Sequence, residues 1–136
     1  VIYLLDTSAL VRLLSDSSLQ RVWYDAIDGG AIASCYPQRA EFLYSARNAL
    51  EYDQIAEMFV DLYPDRAVPR NAGRWIDATQ RRMAGSGEHR SASAIDLMIA
   101  ATAAHHGLIL LHDDADYRVV ANHAPDLAEH RICDTT

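Results

Sequence analysis

Residues 1–10 read VIYLLDTSAL, and this stretch decides the fold class. Five apolar residues, among them the β-branched Val1 and Ile2, have the length and composition of a buried strand. Asp6 ends the run, and Thr7 and Ser8 follow as capping residues for a helix predicted to reach about Ser15. A strand leading straight into a helix is half of a βαβ unit. The same order returns near the other end, where LILLH at 108–112 is a second apolar strand and a short helix is predicted over Asp114–Ala124.

Between these two units the pattern is mostly helical. Asp16-Ser17-Ser18 caps a helix with Leu19, Val22, Trp23, Ala26 and Ile27 on one face, closed by Gly29-Gly30. A short strand AIASC follows, and Pro37 opens a helix carrying Glu41 in its second turn. Further helices are predicted over 50–63, 72–84 and from Ser91 or Ser93 to Gly107. Short strands are expected at 66–69 and near Arg131–Cys133. Strands alternating with helices predict an α/β class with a mainly parallel sheet of four to five strands, as one domain over 1–136.

Four carboxylates stand where local context disfavours them. Asp6 follows an apolar strand, Glu41 lies among apolar residues, Asp96 interrupts AIDLMIAATAA, and Asp114 lies in HDDAD after an apolar run. Burying an ionised carboxylate is costly without compensation. Two such charges about 5 Å apart repel by roughly 3 kcal/mol at an effective dielectric near 20. Convergence of acids from four segments therefore points to a divalent cation held by oxygen ligands. Parallel sheets bind ligands beyond the carboxyl ends of their strands, and Asp6 and Asp114 both fall just past such ends. Each acid also has an ordinary structural use. Asp6 suits a helix N-cap, Asp96 a capping box begun by Ser93, and Glu41 a helix N-terminus; Asp113 suits a solvated turn.

Composition narrows the chemistry further. Half the residues are hydrophobic, which excludes disorder, and no apolar run is long enough for a membrane span. The chain opens on a strand rather than a basic leader, which predicts a cytoplasmic location. Cys35 and Cys133 are too few for a disulfide framework and read as two buried thiols. The net charge of −7 is unusual for a polyanion binder, but pocket carboxylates are neutralised when a cation binds. All twelve basic residues are Arg, which suits bidentate phosphate contacts. The absence of Lys argues against a phosphoaspartate receiver and a haloacid-dehalogenase-type phosphatase. There is no glycine-rich phosphate loop and no Gly-x-Ser-x-Gly elbow.

LLDTSAL at the start, Pro37 and Glu41 in YPQRAEFL, Asp96 in SAIDLMIAATA, and HDDADY near the end together resemble the PIN-domain ribonucleases. The nearest likeness is to the toxin component of VapBC toxin–antitoxin modules, over essentially the whole chain. The resemblance implies a PIN-like three-layer α/β/α sandwich. It implies a Mg²⁺-dependent endoribonuclease, with Mn²⁺ as substitute, that leaves a 5′-phosphate and a 3′-hydroxyl on structured RNA such as tRNA or rRNA. Asp6, Glu41, Asp96 and Asp114 match the family's acidic quartet, and Asp116 a further acid beside it. Asp6, Asp96 and Asp114 are the expected metal ligands, with Asp116 the alternative to Asp114. Glu41 or Asp116 is expected to position or deprotonate the attacking water.

Ser8 matches a hydroxyl that orients the first carboxylate or a metal-bound water, and Arg12, Arg39 and Arg90 are candidates to hold RNA phosphates. Two positions depart from the family pattern, Ile95 before the third acid and Asp113 after His112. A cognate antitoxin is expected to dock on helices around 36–63, where six of the eleven aromatic residues lie, and a homodimer is the family expectation. The contrasting reading is a non-catalytic nucleic-acid or protein-binding module on the same scaffold, which metal-dependent cleavage separates from the enzyme.

Overall fold

In the computed structural model, which describes residues 1–134, the sheet has four strands. They are β1 (Tyr3–Leu5), β2 (Ile32–Ala33), β3 (Ile109–His112) and β4 (Ala128–Arg131). Their order is β2-β1-β3-β4 and every pairing is parallel. Leu5 lies opposite Leu111, and the Asp6 N–H donates to the Leu111 carbonyl at 2.9 Å. The chain crosses from β1 to β2 on one side and later returns to β3 on the other. The crevice between the ends of β1 and β3 is thus the topological switch point, where open α/β sheets bind ligands.

Seven helices complete the described chain: α1 (Thr7–Ser15), α2 (Ser17–Asp28), α3 (Tyr36–Leu43), α4 (Ala49–Leu62), α5 (Ala72–Gly85), α6 (Ala94–His106) and α7 (Asp116–Asn122). Strand alternation distributes them. Leu4 and Leu110 face one side of the sheet, with Met83, Leu97, Ala100 and Tyr117 from α5, α6 and α7. Leu5 and Leu111 face the other, with Leu10, Leu13, Trp23 and Phe59 from α1, α2 and α4. The result is the expected three-layer α/β/α sandwich. All four leucines are fully buried, each contributing about 2 kcal/mol of apolar transfer. The alanines of α6 let its backbone approach closely, and its Gly107 C-cap, with φ at +65°, stops the helix in the left-handed region.

Two boundaries differ from expectation. Residues 66–69 make no strand; Ser34 and Asp65 form one isolated bridge, and the bonding stops there. Pro64 and Pro69 bracket the segment, and neither has an N–H to extend a ladder. The last strand falls at Ala128–Arg131, before the predicted position, so that His112 pairs with Arg131 at its end. Cys35 is fully buried as expected, while Cys133 is only half-buried; both are free thiols. Among the described residues no helix is long and apolar enough to cross a membrane.

Candidate active site

Asp6 leaves β1 at the switch point and caps α1, so one carboxylate serves two roles. Its Oδ2 accepts from the Ser8 N–H at 3.0 Å and from the Ser8 hydroxyl at 2.6 Å. Its Oδ1 accepts from the Tyr117 hydroxyl at 2.6 Å. Asp96 is divided in the same way. Its Oδ2 accepts from the Ser93 N–H at 3.2 Å while Ser93 Oγ accepts from the Asp96 N–H, a complete capping box at the start of α6. Its Oδ1 lies 3.1 Å from the same Tyr117 hydroxyl. The structural uses read from sequence are therefore real, and each occupies one oxygen. The second oxygen of each carboxylate turns to a common point.

That point is electrostatically incomplete. A phenol has one proton and donates it to one acceptor. The shorter bond goes to Asp6, which leaves Asp96 Oδ1 facing oxygen lone pairs. Asp6 is only 3% exposed, and burial is the main reason its carboxyl is held above the usual carboxylate range; the Asp96 charge adds to this, while the Ser8 and Tyr117 bonds oppose it. Burial and both carboxylates raise the Tyr117 phenol far above its usual range, so it remains a donor. Two carboxylates around one donor, all oxygen, are the chemistry of a hard divalent cation. Among the described residues no three acids, histidines or cysteines form a ready-made cage. The pair nonetheless fits Mg²⁺, which retains waters and needs only one or two carboxylates.

The other predicted acids differ in depth and in what they touch. Asp114 is half-buried after β3, and its Oδ1 accepts from the N–H of Asp116, the first residue of α7. Asp116 is exposed in the first turn of that helix. Glu41 is exposed on α3, along an apolar face it shares with Pro37, Ala40, Tyr44, Ile95 and Met98. It thus borders the residue that precedes Asp96 in α6.

Ser8 orients the first carboxylate rather than standing apart from it. Its Oγ also accepts from the Asp113 N–H at 2.9 Å, so the hydroxyl proton is directed to Asp6. Asp113 is not the solvated turn residue expected. Its carboxylate is held between Arg12, at 3.3 Å, and Arg131, at 3.1 Å. His112 is buried structure: Nδ1 accepts from the Asp114 N–H, which leaves Nε2 to donate to Glu129.

The candidate phosphate-holding arginines divide. Arg12 lies at the rim through its pair with Asp113, and Arg90 is exposed in the turn before α6. Arg39 is a correction. It is buried, donates to Ser34 Oγ at 2.7 Å and to the Tyr63 carbonyl at 2.8 Å, and stacks on Tyr36 and Phe59. A buried guanidinium must satisfy its donors internally, which removes it from solvent and from RNA. Tyr117 and Arg131 were not singled out from sequence. Tyr117 in HDDADY reads as a core aromatic, which it also is; the only local signal is its position one residue after Asp116.

Comparison with known proteins agrees with this architecture. The PIN domain family pattern matches residues 3–123. The chain is 52% identical to Ribonuclease VapC6 of Mycobacterium tuberculosis over 102 residues, covering 75% of this chain and 80% of that protein. It is 34% identical to Ribonuclease VapC51 of the same organism over 121 residues, covering 88% and 85%. In structure it is similar to VapBC2 from Rickettsia felis, solved bound to a DNA fragment from the promoter. The TM-score is 0.78 at 15% identity, over 96% of this chain and 98% of that one. VapBC from Salmonella typhimurium, solved bound to DNA, gives a TM-score of 0.77 at 16% identity, over 98% and 99%. At these identities the structural likeness speaks to the fold alone.

Proposed function

The chain belongs to the PIN-domain family, and from that premise we propose that it is a ribonuclease toxin of a type II toxin–antitoxin pair, cutting RNA with Mg²⁺ or Mn²⁺. The observation that carries this reading is the meeting of Asp6 and Asp96 on one phenol at the switch point. Relatives named as VapC ribonucleases supply the substrate class.

Asp6, Asp96 and Asp114 would hold the ion, with Asp116 the alternative third ligand. A bound Mg²⁺ supplies a Lewis acid for the scissile phosphate and lowers the pKa of an attacking water. Ser8 and Tyr117 hold the Asp6 carboxylate in one orientation, and the Ser93 capping box does the same for Asp96. Glu41 or Asp116, both exposed, would position the water and take its proton. In-line attack by that water would break the P–O3′ bond with inversion at phosphorus, and the departing oxygen would take a proton from solvent, leaving a 5′-phosphate and a 3′-hydroxyl. Arg12 and Arg90 would contact phosphates beside the scissile one.

An antitoxin helix would seat in an apolar groove wider than the 36–63 region. Leu14 of α1, Tyr24 and Ile27 of α2, and Met58 and Leu62 of α4 line it. Leu14 and Tyr24 are more than half exposed, as a partner surface requires. Structural neighbours were solved as VapBC complexes, which supports such a partner. A second copy of the chain would pack on exposed aromatic surface at the two ends of α3, where Tyr36 and Tyr44 are 67% and 93% exposed.

The test is incubation with total cellular RNA, in Mg²⁺ or in EDTA, followed by mapping of new 5′-phosphate ends. Discrete ends that need Mg²⁺ and vanish in Asp6→Asn are expected. Ends that persist in that variant would overturn the site assignment, and none from the wild type would favour the binding module.

A further inference from the structure

The charge of this chain is unevenly placed. Residues 66–90 hold six of the twelve arginines and only two of the nineteen acids, Asp77 and Glu88. The segment is therefore net positive by four, and the remainder of the chain net negative by eleven. In three dimensions it is the approach to α5, α5 itself and the turn that leads into α6.

α5 turns Ala72, Ile76, Thr79 and Met83 inward, at helical spacing, and packs on α6. Arg74 and Arg81 are two turns apart and share the opposite face, about 10 Å from each other along the axis. Both are exposed, as are Arg70 before the helix and Arg90 after it. Arg70, Arg74 and Arg90 have no side-chain hydrogen bond or ion pair among the described residues. Arg81 has only Asp77, at 3.3 Å, in a pair whose side chains are 80% and 67% exposed. Such a pair holds weakly and is readily exchanged. Arg82 is different: its guanidinium donates to the His123 carbonyl and to Thr79, so it belongs to the scaffold. The short turn between α5 and α6 then carries the row, through Arg90, to Ser93 and Asp96 at the start of α6.

We propose that Arg74 and Arg81 on the outer face of α5, continued by Arg90, form a track for the phosphate backbone of the RNA whose cleavage site lies at Asp6 and Asp96. This rests on the ribonuclease reading. An acidic molecule needs such a track. The carboxylates at the switch point repel a polyanion, and a separate basic row holds the RNA while the cation site engages one phosphate. The separation of about 10 Å between Arg74 and Arg81 lets the pair reach more than one phosphate of the same strand. Asp77 sits between the two arginines and limits the grip.

The test measures binding of labelled bulk tRNA in EDTA, by fluorescence anisotropy between about 50 and 200 mM salt. The Arg74→Gln/Arg81→Gln double variant is expected to bind about tenfold more weakly, with a log–log salt slope shallower by about two. Asp77→Asn removes the competing acid and is expected to bind about threefold more tightly, a gain that a damaged fold does not produce. Arg21→Gln, on α2 in the opposite layer, controls for overall charge and is expected to match the wild type. Unchanged affinity and slope in the double variant would overturn the track and leave the row to an acidic protein surface. Wild-type failure to bind tRNA would overturn it equally. Cleavage of total RNA in Mg²⁺ is scored in parallel: its absence overturns the ribonuclease reading, and its presence beside an unaffected double variant overturns the track alone.

Discussion

Asp6 is the residue where folding and chemistry conflict most. It caps α1 and is nearly fully buried, so its charge is costly to the fold. Because burial raises its carboxyl, the folded chain binds that proton more tightly than the unfolded chain. Stability from this group is therefore complete at low pH and is lost as pH rises through the folded value. Asp6→Asn is expected to melt higher than the wild type in EDTA, by a margin that widens with pH, while losing RNA cleavage. Thermal melts of both proteins across pH check this; a margin that shrinks with pH would contradict it.

Tyr117→Phe removes the hydroxyl that donates to Asp6 and that Asp96 also faces, and is expected to weaken Mn²⁺ binding about 10- to 100-fold while the fold survives. Titration followed by electron paramagnetic resonance reads that affinity. Asp6 and Asp96 were visible in the sequence because a carboxylate amid apolar residues is anomalous at any position. Tyr117 was not, because a tyrosine there needs no explanation until its hydroxyl is located.

At the scale of elements, α6 was the most legible. Its apolar length, Ser93 cap and Gly107 terminator are local, and the helix runs between them as expected. Ser93→Ala is expected to cost about 1 kcal/mol, near 4 °C in melting temperature at this chain length, because the Asp96 N–H loses its acceptor, while the Ser93 backbone N–H still holds the Asp96 carboxylate and cleavage by the folded protein is little changed. Strand pairing was less legible because it depends on a neighbour. The 66–69 segment has strand-like residues, yet pairing stops at the Ser34–Asp65 bridge just before it, between Pro64 and Pro69. Arg39 was misread for a related reason. Its proximity to Glu41 suggested the site, whereas it faces away and ties α3 to the end of α4 through the Tyr63 carbonyl. Arg39→Met is accordingly expected to lose about 2–3 kcal/mol of stability, measured by denaturant unfolding, with KM for RNA unchanged in the folded protein.

Over the whole molecule, the three layers separate the surfaces by task. The β1–β3 crevice holds the acids, the α1–α2–α4 face carries an exposed apolar groove, and the α5 face carries positive charge. α/β order and the sheet's parallel sense were readable from the alternation of strands with helices. The groove was not, since Leu14, Tyr24 and Leu62 come from three helices whose packing no local pattern shows. Leu14→Glu is expected to abolish neutralisation by the cognate antitoxin, by at least about 100-fold in affinity, because it places a charge in an apolar contact. RNA cleavage by the free protein should be unchanged, and co-purification compared with an activity assay measures the two separately.

The proposed chemistry depends above all on where a cation binds. Crystals soaked in Mn²⁺ and measured for anomalous scattering locate it directly. A peak about 2 Å from carboxylate oxygens of both Asp6 and Asp96 is predicted, absent in Asp96→Asn. No peak at that pair, with Mn²⁺ bound elsewhere or nowhere, would contradict the metal-dependent site on which the proposed ribonuclease rests.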